Sequence, residues 1–222
     1  MQLTVGFGSE LIGDLCYPPL RVGQMVNLSF QVVITSRIDR TVDSLAFQVA
    51  TDAECVFIAD VLRIYRLPTE RPLAILKAGD LLFYIDGSEV DLLRIGDRIS
   101  GAGSLVVDYY IWAEFLKEYK DPPNLFYKLK VERLRGLYIR SQPPSMSWKN
   151  TAFSDRLRGE RYSDADIREV SAMYLRESEC PFYLVDLDDQ DITEAIVPKT
   201  FLRASASQHE LGADAKDARL KL

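Results

Sequence analysis

Asp186, Asp188, Asp189, Asp191 and Glu194 form the densest carboxylate run in the chain. Carboxylates in such number suit Mg²⁺ or Ca²⁺, hard cations that take oxygen ligands. The run lacks the glycine and the ligand spacing of an EF-hand loop. It therefore reads as a solvated acidic turn joining two strands, Phe182 to Leu187 and Ile196 to Leu202, and no metal or other cofactor is assigned to it.

A second constellation is basic. Lys128, Lys130, Arg133, Arg135, Arg140 and Lys149 interleave with Tyr127, Tyr138, Trp148 and Phe153. On a barrel this mixture binds single-stranded nucleic acid by phosphate pairing and base stacking. Segment 126–161 would carry that activity, with Arg133, Arg135, Arg140 and Trp148 as contacts. The net charge of −6 opposes it, because it repels a polyanion at long range.

Other chemistries lack their residues. His209 is the single histidine, so Ser-His-Asp and Cys-His catalysis and His-based metal sites have nothing rigid to stand on. Cys16, Cys55 and Cys180 are odd in number and widely spaced. They read as free buried thiols in a reducing compartment, which places the chain in the cytoplasm. Gly6-Phe7-Gly8-Ser9 lacks the Lys-Ser/Thr of a phosphate loop and the third glycine of a dinucleotide fingerprint. Tyr109-Tyr110-Ile111-Trp112 reads as a core strand, since aromatics with β propensity pack inside.

Charge is uneven along the chain. Residues 1–60 carry −4, residues 61–114 carry −2, residues 115–161 carry +6 and residues 162–222 carry −6. Acidic ends suited to a basic partner, together with the missing catalytic constellations, point to a non-catalytic protein-binding module. An acidic inhibitor or immunity-type protein that neutralises a toxic enzyme is one instance. The nucleic-acid-binding barrel is the alternative.

The elements that would position these residues are mostly strands. Apolar residues at 47% and charged ones at 27% suit a globular chain. Apolar runs such as Leu81 to Ile85 fall far short of the ~20 residues that cross a bilayer, and Met1 to Gly8 does not read as a signal peptide. Period-2 alternation marks strands at Met25 to Ile34, Val42 to Val49, Val56 to Leu67 and Phe126 to Arg140, the last with a bulge near Gly136. A string of apolar, basic, apolar, Gly, polar residues appears at Leu20, Leu76 and Leu93, with turns at Gly23, Gly79 and Gly96. The stretch from residue 20 to 34 resembles that from 93 to 107. Asp86-Gly87 signals a hairpin whose returning strand is Glu89 to Leu93. Gly101 and Gly103 suggest a bulge or a barrel corner. Trp112, Phe115, Leu116 and Tyr119 share a helical face, and Ser163 to Asp166 has the spacing of a capping box before a helix through Tyr174.

The expected architecture is mainly β. A barrel or sandwich occupies residues 1–140, residues 141–203 form a small α/β appendage of loop, helix and hairpin, and residues 204–222 form a loose polar tail.

Overall fold

The three glycine strings do turn the chain. In the computed structural model Gly23, Gly79 and Gly96 have φ of 85°, 62° and 89°, the region where a side chain is costly. Strands begin just after them, at Met25, Leu81 and Arg98. The first and third turns are the same object. Gln24 and Asp97 donate their amides to the carbonyls of Arg21 and Arg94 at 3.1 and 3.0 Å. Their side chains accept the Arg21 and Arg94 amides in return, at 3.0 and 2.8 Å. Positive φ at the third turn position is the type II pattern. Gly79 and Asp80 instead make a two-residue hairpin loop, closed by the Ala78↔Leu81 pair.

The structure describes residues 2–8, 11, 19–50, 52–66, 72–107, 123–139, 162–170 and 182–194. Their strands are β1 (Gln2–Gly8), β2 (Leu20–Arg21), β3 (Met25–Leu28), β4 (Phe30–Ile34), β5 (Asp39–Arg40), β6 (Ala46–Val49) and β7 (Glu54–Arg66). Then come β8 (Pro72–Ala78), β9 (Leu81–Asp86), β10 (Arg98–Val107), β11 (Tyr127–Ile139), β12 (Tyr162–Ile167), β13 (Glu169–Val170) and β14 (Phe182–Glu194). The protein is mainly β, as its alternation predicts, and it contains a closed five-stranded barrel with extra strands.

The barrel runs β7-β8-β9-β4-β10 and closes where β10 pairs back onto β7. From Cys55 to Val61 the odd residues of β7 point inward, so Cys55, Phe57, Ala59 and Val61 are buried. Phe57 and Phe47 pack on Phe83, with ring centroids 5.4 and 5.1 Å apart. Such aromatic pairs add about 0.5–1.5 kcal/mol beyond the area they bury. Gly101 and Gly103 leave room for close approach. A Cβ on Gly101 would lie 2.8 Å from the Phe57 ring, and one on Gly103 would meet the Val33 carbonyl. Between them β10 runs along β7 without a register break, then takes β4 and β1 as neighbours from Leu105 onward.

Outside the barrel, β1 runs parallel to β10 and β14 lies between β1 and β11. β11 also holds β3 and β12 along its other edge. The resemblance of 20–34 to 93–107 has a structural basis here. Gly23 donates to the Val131 carbonyl at 2.7 Å, and Val131 donates to Gln24 at 2.9 Å. Gly96 donates to Val61 at 2.9 Å, and Val61 donates to Asp97 at 2.8 Å. The next pairs, Met25↔Lys130 and Arg98↔Asp60, keep the same offset. Each type II turn thus clamps a valine beside a register shift in a long strand, at Val61/Arg63 and at Val131/Arg133.

Several expectations need correction. Residues 162–167 form β12 and not the start of a helix. Ser163, Ala165 and Ile167 also alternate at period 2, and the open edge of β11 supplies ladder partners that a capping box cannot match. Asp188, Asp189, Asp191 and Glu194 lie within β14, so the acidic run is strand and not turn. Met25 to Ile34 is broken at Ser29 into β3 and β4, which pair with different neighbours. Ser88–Leu92 is a 3₁₀ helix, not a returning strand; the hairpin partner of β9 is β8, reached through Gly79. Gly136 pairs in register, and the β11 irregularities fall earlier, between Lys128/Lys130 and Val131/Arg133. The expected helix from Trp112, the loop at 141–161, the strand at 196–202 and the tail lie outside the described residues.

Candidate functional site

The basic and acidic runs face each other inside the sheet. β11 is flanked by β14 on one side and β12 on the other. Arg135 is buried, and its Nη2 lies 2.9 Å from Asp186 Oδ1. Thr4 on β1 donates its hydroxyl to the same oxygen at 2.7 Å. Charge-assisted bonds of this kind are about twice as strong as neutral ones, and they oppose the cost of burying both ions. Arg133 Nε bonds Asp166 Oδ1 at 2.6 Å, and this hydrogen bond holds the Asp166 carboxyl below its ordinary range. Lys130 pairs with Glu132 at 2.6 Å, which raises the lysine above its ordinary value.

Among the described residues, the sequence-assigned nucleic-acid contacts Arg133 and Arg135 do not share one exposed surface. Arg135 sits inside, Arg133 is engaged on the surface by β12, and Arg140 and Trp148 lie outside the described residues. Of the carboxylates, Asp186 is consumed by Arg135 and Thr4. Asp189 and Asp191 are placed only by the backbone of β14. Among the described residues no group of three His, Cys, Asp or Glu could hold a metal ion. Burial pushes the Cys55 thiol up to about 12, with the negative Glu54 adding to the effect. A thiol so raised stays protonated at neutral pH and is a poor nucleophile.

A different region is open. On the outer face of the barrel, a cleft of about 420 Å³ lies over β7 and β10, with Arg37 and Asp39 at one wall and Ala46 and Gln48 at the other. Its floor includes Val56 and Ile58. Even-numbered residues of β7 point outward here, which leaves Val56 53% exposed. Beside the cleft, β6 is an edge strand among the described residues, paired only with β7. The Ala50 amide bonds the Glu54 carbonyl at 2.7 Å. In an antiparallel ladder the bonded pairs recur at every second residue, so Gln48/Val56 and Ala46/Ile58 are bonded pairs too. The amides and carbonyls of Phe47 and Val49 then point away from β7.

Sequence reasoning passed over this region, although a signal was present. Val56 and Ile58 are β-branched residues on the solvent phase of a strand whose core phase is already apolar. Apolar residues that adjoin on the wet face of a strand are where a contiguous patch, the mark of an interaction surface, can begin.

Compared with known proteins, the chain matches no described protein family, no curated protein and no solved structure. Among the described residues no helix is long and apolar enough to cross a membrane.

Proposed function

We propose that this chain is a non-catalytic protein-binding module whose acidic surface docks a basic partner, in the manner of an acidic inhibitor or immunity-type protein that neutralises a toxic enzyme. The observation that carries this reading is the internal use of the basic strand. Arg133 and Arg135 are both engaged by carboxylates of neighbouring strands, so two of the residues that favour nucleic acid are already spoken for. The overall excess of carboxylates remains for steering a cation-rich partner. The three widely spaced cysteines suit a cytoplasmic setting.

The test is affinity capture from host lysate, with and without nuclease. The reading expects a retained protein that survives nuclease, and association that slows with added salt as screening shortens the field. Tight oligonucleotide binding, well below the ~10 µM typical of non-specific contacts at physiological salt, would instead support the nucleic-acid-binding barrel.

A further inference from the structure

We infer that the open edge of β6 captures an extended basic segment of the partner as an added strand. This rests on the protein-binding reading and names the surface and the partner chemistry. Unpaired edge strands are templates for further pairing, and proteins usually guard them with lysine, proline, inward charges or bulges. Ala46-Phe47-Gln48-Val49 carries none of these, and its guard is its length of four residues. The outward amides and carbonyls of Phe47 and Val49 offer four backbone bonds, the basis of β-strand addition.

The charge at both ends of the edge selects the occupant. Asp43 precedes β6, and Asp52 and Glu54 follow it. The Asp43 carboxylate accepts only from Thr41, at 2.7 Å. Asp52 accepts from the Glu54 amide at 3.2 Å, and Glu54 from Ser104 at 3.4 Å. None of the three pairs with a cation among the described residues. Between them, Ala46 and Gln48 form a wall of the outer cleft, with Val56 and Ile58 as its apolar floor. A strand on β6 would stand its outward side chains beside Ala46 and Gln48. The aliphatic stem of a lysine or arginine can lie across such a floor while its head reaches a carboxylate. A four-residue edge gives few backbone bonds, so charge has to supply much of the affinity.

The test uses the full chain and a capped peptide of alternating lysine and valine. A glutamate–valine peptide and a backbone N-methylated lysine–valine peptide serve as controls. The lysine–valine peptide is expected to bind, the controls to bind at least about tenfold more weakly, and raised salt to weaken the complex. Val49→Pro removes an outward amide without touching the β7 ladder and is expected to reduce binding at least about tenfold. Asp43→Asn with Asp52→Asn is expected to reduce it about threefold. Should Val49→Pro fail to fold, amide exchange of the natural chain decides, with Phe47 and Val49 gaining protection when peptide is added. No binding, equal binding by the N-methylated peptide, or no gain in protection overturns the inference. So does self-association of the natural chain that Val49→Pro abolishes, since the occupant is then a second copy. The lysate capture reports separately. Partner retention by both the natural chain and Val49→Pro keeps the protein-binding reading and removes the edge, whereas no retained protein removes that reading and leaves the peptide result standing.

Discussion

Arg135 Nη2 lies 2.9 Å from Asp186 Oδ1, with the two side chains only 9% and 6% exposed. The pair bridges β11 and β14, the two strands that carry the basic and the acidic runs. Removing one member leaves the other charge buried and uncompensated. Asp186→Leu or Arg135→Met alone is expected to destabilise the fold by about 3–5 kcal/mol. The double variant Arg135→Met with Asp186→Leu should recover most of that loss. Urea denaturation of the four proteins checks this, and additive losses would show that the pair is not coupled.

The turn glycines and the close-approach glycines should differ in cost. A methyl added at Gly96 would have nothing within 4 Å, so Gly96→Ala meets only its φ of 89°. That strain is about 1–2 kcal/mol. Gly23→Ala should cost the same, because its turn and its clamp on Val131 are the same. Gly103→Ala drives a methyl into the Val33 carbonyl and should cost more, about 3 kcal/mol or above. Equal losses at Gly96 and Gly103 in thermal unfolding would contradict this ordering.

Acid should weaken the fold through exposed ion pairs. The Arg98 hydrogen bond holds Asp60 below the ordinary aspartate value of 3.8, and the Arg94 amide, followed by the Arg40 guanidinium, does the same for Asp97. Arg133 acts likewise on Asp166. A carboxyl depressed in the folded state binds its proton less readily than in the unfolded chain. Its contribution is therefore fully present above the unfolded value of 3.8 and lost as pH falls through the lower folded one. Urea midpoints should fall across that window. The variant carrying Asp60→Asn, Asp97→Asn and Asp166→Asn should show a shallower fall.

Cys55 should resist alkylation in the folded protein. Its thiol is pushed up to about 12 by burial, and only the thiolate reacts. Peptide mapping after iodoacetamide at pH 8 should find Cys55 unmodified without denaturant and modified with it. Rapid labelling of the native chain would show that the barrel opens at β7.

Local chemistry was enough for the β class and for the three glycine turns. Gly23, Gly79 and Gly96 were legible because a positive φ is a property of one residue, and the alternation in β7 and β11 was legible because a strand's two faces differ in polarity at every second position. What residues 162–167 became was decided elsewhere in the chain. Their sequence satisfies both a helix cap and a strand, and the unfilled edge of β11 settled the matter by offering hydrogen bonds to Leu134 through Ile139. The same holds for the charges. Arg135 and Asp186 are 51 residues apart, and in sequence they read as two separate surfaces. Only the register of β11 against β14 turned them into one buried pair, because ladder pairing fixes which side chains share a face and no composition or spacing encodes that partner. The open edge that β6 presents among the described residues is likewise a tertiary fact, since a strand becomes an edge through the neighbours it does not have.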